Sequence, residues 1–324
     1  VRIAVVGATG LVGEVLLGLL PDSKFADAEI LALASAESAG KCLPYSGGEL
    51  IVSELTEDSF KDVDLAFFAI GTALSQRFVP VALDAGARVV DKSNAFRLTE
   101  GVPLMVPGVN DGALGDARLA ANPNCTTIGF THAIAPLRRF GIEEAVAATY
   151  QAISGAGREA VADFWDGAKQ ALAGEPDAYS SAAAEALRIV PAIDDLVGGV
   201  HREEMKLMLE SAKILGLDAG HIFATAARVP VLTGHSVAAH LKLRDEIGEE
   251  AVRGALADSP TLIVLPTGET PTSADAIAHR DRVIVGRIRV RPEPRVVELF
   301  AVADNLHIGA ALNGLRIGEM MAEL

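Results

Sequence analysis

Gly7-Ala8-Thr9-Gly10-Leu11-Val12-Gly13 follows the apolar run Val1-Arg2-Ile3-Ala4-Val5-Val6 and precedes Val15, Leu16, Leu19 and Leu20 at helical spacing. The order is strand, glycine turn, helix. In such a turn the glycines let backbone N–H groups close on a pyrophosphate, whose charge the N-terminal end of the helix dipole favours. In a chain with 31 glycines among 324 residues, three at this spacing arise by chance about 0.3 times, so the motif gains its weight from following the first strand. Residues 29–34 predict a second strand, leading into Ser35-Ala36-Glu37-Ser38-Ala39-Gly40-Lys41, where a dinucleotide fold meets the adenosine ribose. Glu37 and Ser38 are therefore candidate cofactor contacts. An acid at Glu37 would take the ribose hydroxyls and repel a 2′-phosphate, although a solvated loop glutamate reads equally well. Residues 64–70 and 88–91 predict two more strands. Ser93-Asn94-Ala95-Phe96-Arg97 follows the second of these at its C-terminal edge, where open α/β sheets bind ligands.

The totals set limits on function. Half of the residues are hydrophobic and 22% are charged, as in a soluble globular protein, and 324 residues suggest two domains. A formal charge of −15 argues against nucleic acid or an anionic membrane surface as partner. An anionic small substrate stays admissible, because a few arginines can dominate a pocket's field. Cys42 and Cys125 are the only cysteines, too few for a disulfide framework or a thiolate metal cage, so no metal is expected and Cys42 reads as structural. No apolar run approaches the roughly 20 residues of a membrane span. The sequence opens on a strand without a basic leader, and a reducing cytoplasm is the expected location.

Asn122-Pro123-Asn124-Cys125-Thr126-Thr127 is the second informative stretch. Ile128, Phe130, Ala133, Ile134 and Leu137 continue at roughly helical spacing and Gly141 stops them, which predicts a helix beginning at or beside Cys125. A thiol at a helix start is favoured as thiolate. Most cysteines are small buried hydrophobes, but asparagine on one side and two threonines on the other make a poor apolar core. Residues 145–152 predict a strand bearing Gln151 near its end, followed by Ser154-Gly155-Ala156-Gly157 and a helix with Val161, Phe164, Trp165 and Ala168. Residues 174–199 read as mostly irregular. Residues 201–215 read as a helix with Met205, Met208, Leu209, Ala212 and Leu215 as its apolar stripe. Glu203, Lys206, Glu210 and Lys213 then share the opposite face, most simply as intrahelical pairs. Strands at 222–230 and 237–243 place Arg228 and His235 on either side of a tight turn. Strands at 283–290 and 296–303 alternate around Pro292-Glu293-Pro294, and a helix at 305–323 closes the chain. Several strands after one long helix predict a mixed, largely antiparallel sheet with one face covered. One thiol, one imidazole, dispersed cations and a dinucleotide turn point to a single reaction class. A thiolate adds to a carbonyl, hydride passes to or from a nicotinamide, and the acyl group stays on sulfur as a thioester.

Seven segments carry a family resemblance: Gly7-Ala8-Thr9-Gly10, Ser93-Asn94-Ala95-Phe96-Arg97, Asn122 to Thr127, Gln151 with Ser154-Gly155-Ala156-Gly157, Arg228-Val229-Pro230, Thr233-Gly234-His235-Ser236 and Asp304-Asn305-Leu306. In that order the chain resembles the aspartate-semialdehyde dehydrogenases from end to end. The resemblance implies an α/β fold with a Rossmann-type NAD(P)-binding domain at 1–124 with 305–324, and a catalytic and dimerisation domain of α+β type at 125–304. It implies reduction of L-aspartyl 4-phosphate by NADPH to aspartate semialdehyde and phosphate, on the way to lysine, methionine and threonine, by a homodimer. Cys125 would be the acyl-thioester nucleophile, His235 the general acid/base and Gln151 the group that orients the substrate. Arg228 would clamp the substrate α-carboxylate, Glu203 the amino group, and Arg97, Asn124 and Lys206 the phosphate. Gly7, Thr9, Gly10, Leu11, Val12, Ser154, Gly155 and Asn305 would meet the cofactor. Three positions depart from the family pattern. Glu37 replaces a common arginine, which leaves NAD as an alternative to NADP, Val237 replaces a glutamate, and His307-Ile308 replaces a basic pair. The rival readings are a reductase of N-acetylglutamyl phosphate or malonyl-CoA, for which Glu203 has no cation to meet, and a non-catalytic nucleotide-binding relative, which has no need of the thiol and imidazole.

Overall fold

Successive residues of the first strand go to opposite sides of a sheet. Ile3 and Val5 join a core with Leu16, Leu17, Leu315 and Ile317, while Ala4 and Val6 join a second core with Phe60, Phe78 and Val79. A strand buried on both faces reads as a continuous apolar run, and parallel sheets are built from such strands. The computed structural model describes residues 1–174, 187–291 and 295–323. Their contacts divide the chain into one unit of Val1–Asn124 with Ala310–Leu324 and another of Cys125–Gly309. The return to the first unit thus falls at Ala310, whereas the sequence reading puts it at Asn305.

In the first unit β1 (Arg2–Val6), β2 (Glu29–Ala34), β3 (Cys42–Tyr45), β4 (Gly48–Ile51), β5 (Ser53–Glu54), β6 (Leu65–Phe68), β7 (Arg88–Asp91) and β8 (Leu119–Ala121) follow one another. Six of them form a parallel sheet in the order β5-β2-β1-β6-β7-β8, and β3 pairs with β4 as a separate hairpin. Helix α1 (Leu11–Leu19) and the C-terminal helix Leu312–Ala322 pack on the first core, and α2 (Thr72–Asp84) packs on the second. The chain enters α1 through Gly7, whose φ of +88° belongs to the left-handed region open to glycine. A Cβ on Gly7 would lie 2.5 Å from the Ala69 carbonyl oxygen, and one on Gly13 would lie 2.2 Å from the Gly7 oxygen. The final helix is shorter than expected: π-helical His307–Ala311 precedes it. Cys42 is exposed on β3, which corrects its reading as a structural residue.

The second unit holds β9 (Ile142–Gln151), the short pair β10 (Leu196–Val197) and β11 (Val200–His201), then β12 (Ile222–Arg228), β13 (His235–Leu243), β14 (Leu262–Val264), β15 (Val283–Arg291) and β16 (Val296–Ala303). The order β12-β9-β13-β16-β15-β14 has three antiparallel pairings out of five, the mixed and largely antiparallel sheet that the sequence predicts. Its order corrects one local reading. Arg228 and His235 do not flank a turn between neighbouring strands, because β9 lies between β12 and β13. Helix α3 (Cys125–Ile134) packs on β9, β13, β15 and β16, with every residue after Cys125 buried. Helix α4 (Arg158–Leu172) follows β9, and α5 (Arg202–Leu215) packs on α3 and β12. The buried positions of α5 are Glu203, Leu207, Glu210, Ser211, Ala212, Ile214 and Leu215. Glu203 and Glu210 therefore turn inward, while Leu209, placed in the apolar stripe by its sequence spacing, is exposed. Of the stretch read as irregular, residues 175–186 lie outside the described residues, as does Pro292-Glu293-Pro294.

Two glycines of α1 give opposite expectations. Gly13→Ala should destabilise the protein by about 1–3 kcal/mol, since its Cβ meets backbone that cannot move aside. Gly18→Ala, exposed and with nothing within 4 Å of the new atom, should stabilise it by up to about 1 kcal/mol. Urea unfolding of the two variants beside the parent checks both signs.

Candidate active site

Helix α3 begins at Cys125, so the thiol sits at the first residue of a helix whose remaining residues are packed inside. Cys125 is partly accessible, and its sulfur lies 3.3 Å from Nε2 of His235, the first residue of β13. The other ring nitrogen fixes the tautomer. Nδ1 accepts the backbone N–H of Ala152 at 3.0 Å, and a backbone N–H can only donate, so the proton of the neutral ring is on Nε2 and faces the sulfur. His235 is buried, and burial together with the nearby Arg228 charge lowers its pKa from 6.5 to about 3. The imidazole is consequently neutral through the physiological range.

The sheet register brings the remaining groups of this unit together. Gln151 ends β9 opposite Arg228, which ends the parallel neighbour β12. Gln151 is buried and donates to the Thr149 hydroxyl at 3.4 Å. The Arg228 guanidinium donates to the Ala152 carbonyl at 2.8 Å, and its backbone exchanges two hydrogen bonds with Val190. Gly155 closes one side of this cluster. A Cβ there would lie 2.9 Å from Nη1 of Arg228 and 3.0 Å from both Cε1 and Nε2 of His235. Asn305 donates to the Ser154 hydroxyl and accepts the Gly234 N–H, each at 2.9 Å. Of the residues expected as cofactor contacts, Gly155 faces the imidazole, while Ser154 and Asn305 bond to each other and Asn305 holds the residue before His235.

On α5 the Lys206 ammonium donates to Glu203 at 3.1 Å and pairs with Asp194. Burial opposes that charge, but the Glu203 and Asp194 carboxylates outweigh it and hold Lys206 above its ordinary pKa. The pairing of Glu203 with Lys206 matches the intrahelical reading, yet Glu203 is buried, so the pair is no solvated surface contact.

In the first unit Arg97 is buried and anchored. Its Nε donates to the Asn122 carbonyl at 3.0 Å, Nη1 to the Asn94 side chain at 2.8 Å and Nη2 to the Lys92 carbonyl at 2.6 Å. Asn124 is buried at the end of the same segment. Burial pushes the Asp91 carboxyl up, against the hydrogen bonds from Ser93 and the Arg97 charge. The turn from Gly7 to Val12 is suited to a dinucleotide: Gly10 caps α1 in extended conformation with no side-chain cap, and glycines stand where a Cβ would strike backbone. Glu37 is exposed on the 3-10 turn Ala36–Ser38 after β2, and Lys41 donates to the buried Ser38 hydroxyl at 3.2 Å. Among the described residues no cluster of three or more His, Cys, Asp or Glu could hold a metal ion. No described helix is long and apolar enough to cross a membrane.

A parallel sheet with a glycine turn and a second unit built around a thiol–imidazole pair define the semialdehyde dehydrogenase class. Residues 2–117 match the family model described as the NAD binding domain of semialdehyde dehydrogenase, and residues 134–308 match its dimerisation domain. The aspartate-semialdehyde dehydrogenase of Legionella pneumophila is 37% identical over 99% of this chain and 95% of its own length. The crystal structure of aspartate semialdehyde dehydrogenase II from Vibrio cholerae complexed with ASA superposes with a TM-score of 0.92 at 33% identity, covering 99% of this chain and 98% of that one. The Candida albicans enzyme, solved with NADP, gives a TM-score of 0.77 at 26% identity over 99% and 98% of the two chains. The chain belongs to the aspartate-semialdehyde dehydrogenase family.

Some of the site was out of reach of the sequence. The Ala152 N–H that fixes the ring tautomer is a backbone group with no side-chain signature, and Asp194 lies in a stretch without periodicity. Gly155 reads from the sequence as a cofactor contact; its approach to the imidazole follows from the β9 and β13 pairing.

The neutral ring has a consequence for stability. Between about pH 6.5 and 3 the unfolded chain binds a proton at His235 that the folded chain does not, so this residue's contribution is present above 6.5 and declines as pH falls toward 3. The melting temperature of the parent should therefore drop more steeply between pH 6.5 and 4.5 than that of His235→Gln. Equal slopes would mean that the fold does not hold the imidazole neutral.

Proposed function

We propose that this protein is an NADP-dependent aspartate-semialdehyde dehydrogenase that reductively dephosphorylates L-aspartyl 4-phosphate to L-aspartate 4-semialdehyde through an acyl-thioester on Cys125. The observation that carries the reading is the 3.3 Å approach of the Cys125 sulfur to Nε2 of a buried, neutral imidazole whose proton is on that nitrogen. In this reading the Cys125 thiolate attacks the acyl-phosphate carbonyl, a C–S bond forms, the C–O bond to phosphate breaks, and phosphate leaves with the bond pair. When bound, the dinucleotide supplies the hydride to the thioester carbon. His235 donates its Nε2–H to the oxygen that gains charge, and then to the sulfur as the C–S bond breaks with its electrons returning to Cys125. No net proton transfer to the ring is required. That suits a group that burial and Arg228 keep from becoming cationic. His235 is thus a hydrogen-bond donor first, and an acid/base role would require the Ala152 contact to give way.

The substrate carries a carboxylate, an ammonium and a phosphate, and each has a complement in the chain. Arg228 can clamp the α-carboxylate with its planar fork, which lysine cannot copy. Glu203 meets the amino group, and Gln151 orients the acyl group from the strand end beside Arg228. The family resemblance assigns the phosphate to Arg97 and Asn124 of the first unit and Lys206 of the second; the backbone and Asn94 contacts of Arg97 fix its direction. Gly7, Thr9, Gly10, Leu11 and Val12 receive the cofactor diphosphate at the start of α1. At its adenosine end, Ser38 and Lys41 offer a hydroxyl and an ammonium to a 2′-phosphate, which offsets the exposed Glu37.

The decisive assay is oxidation of aspartate semialdehyde followed by nicotinamide absorbance. It should require inorganic phosphate and run faster with NADP than with NAD. Cys125→Ala should abolish turnover while nucleotide binding survives, and acid-quenched parent should carry an aspartyl mass on the Cys125 peptide. Activity at the parent rate in the alanine variant would overturn the reading.

The protein is further proposed to act as a homodimer in the cytoplasm. Val146 and Tyr150 of β9 and Phe223 of β12 lie on one face of the second sheet and are exposed, a cluster of apolar side chains beside Phe300 that a second copy would cover. Phe223→Glu should shift the protein toward monomer in sedimentation, and an unchanged dimer would place the contact elsewhere.

A further inference from the structure

His235 is held from more sides than its own hydrogen bonds. Its ring lies against Gly155, which follows β9, and its backbone follows Gly234, whose φ of +99° and close approach to Ser273 leave no room for a side chain. These two loops run together. Ile153 N–H donates to Val231 at 2.7 Å and Ser154 N–H to Leu232 at 3.0 Å. Asn305, just beyond β16, completes the junction. Its Oδ1 accepts the Gly234 N–H and its Nδ2 donates to the Ser154 hydroxyl, both at 2.9 Å, and both Asn305 and Ser154 are buried. One rigid carboxamide therefore spans the residue before the imidazole and the residue before the glycine that faces it. The cofactor contact that the family resemblance assigns to Asn305 does not explain why each end of its amide is already engaged by these loops.

We propose that Asn305 is a positioning residue whose carboxamide, bridging Gly234 and Ser154, sets the place of the His235 ring opposite the Cys125 sulfur. The inference rests on the reading of His235 as the donor to that sulfur. Loss of the bridge frees the Gly234–His235 step relative to the Ser154–Gly155 wall. The ring then drifts from its 3.3 Å contact, and a displacement near 1 Å at such a site lowers turnover by up to about 100-fold.

The test uses full-length protein and the rate of Cys125 alkylation by iodoacetamide as a function of pH, with the Cys125 peptide separated by mass from that of the exposed Cys42. His235→Ala is the reference and should move the alkylation profile to higher pH. Asn305→Ala should move it in the same direction and lower kcat about 10-fold to 100-fold, while the Kd for NADP changes by less than about twofold. Asn305→Asp, which keeps an acceptor for the Gly234 N–H, should recover part of kcat. Ser154→Ala should shift the profile less, and the Asn305→Ala, Ser154→Ala double variant should be no worse than Asn305→Ala alone. A parent-like alkylation profile in Asn305→Ala, with NADP binding weakened tenfold or more, would make Asn305 a cofactor contact and overturn the proposal. If Asn305→Ala does not fold, a parent-like profile in both Asn305→Asp and Ser154→Ala has the same force. A parent-like profile in His235→Ala sinks the His235 reading itself, however the Asn305 variants behave.

Discussion

The Ala152 N–H to Nδ1 hydrogen bond fixes the state of the imidazole that faces Cys125. It removes the imidazole's basic lone pair from play and leaves its only proton on the side of the sulfur. Burial and the Arg228 charge act in the same direction by disfavouring the cation. One main-chain amide thus sets the tautomer and the direction of the ring proton, while burial first and Arg228 second set its charge state. The Nε2–H then faces the sulfur as a donor, the arrangement that favours a thiolate there.

That amide is available because of the strand order. β9 is the one strand with β12 parallel on one side and β13 antiparallel on the other. It therefore carries Gln151 to the same edge at which β12 delivers Arg228 and β13 starts with His235. The turn after Gln151 supplies Ala152 to both neighbours, its N–H to His235 and its carbonyl to Arg228. Helix α3 meets the same sheet with Cys125 at its first residue. Residues far apart in the chain converge because their strands end together.

Much of this is legible in the sequence, and the exceptions share a cause. The parallel sheet was readable because its strands are buried on both faces and appear as unbroken apolar runs, and the thiol stood out because its polar neighbours make a poor core. The α5 helix misleads because Glu203 and Glu210 lie on the face that packs against α3 and β12, so the charge pattern points to the wrong side. The β12 and β13 segments misled because nearness in sequence suggests pairing, whereas β9, far upstream, inserts between them. Short edge elements such as β5, β8 and β14, of two or three residues each, offer too few residues for any period to show. What was missed depends on long-range placement or on backbone groups, neither of which leaves a local signature.

Helix α3 has no solvent-facing residue behind Cys125. The sulfur is therefore mounted on an element that offers evolution no free positions: any change along it disturbs the interior. Change in the surroundings of the sulfur is easier at the strand ends, where Gln151 and Arg228 finish their strands, than along α3. Cys125 would remain the fixed point while its surroundings change.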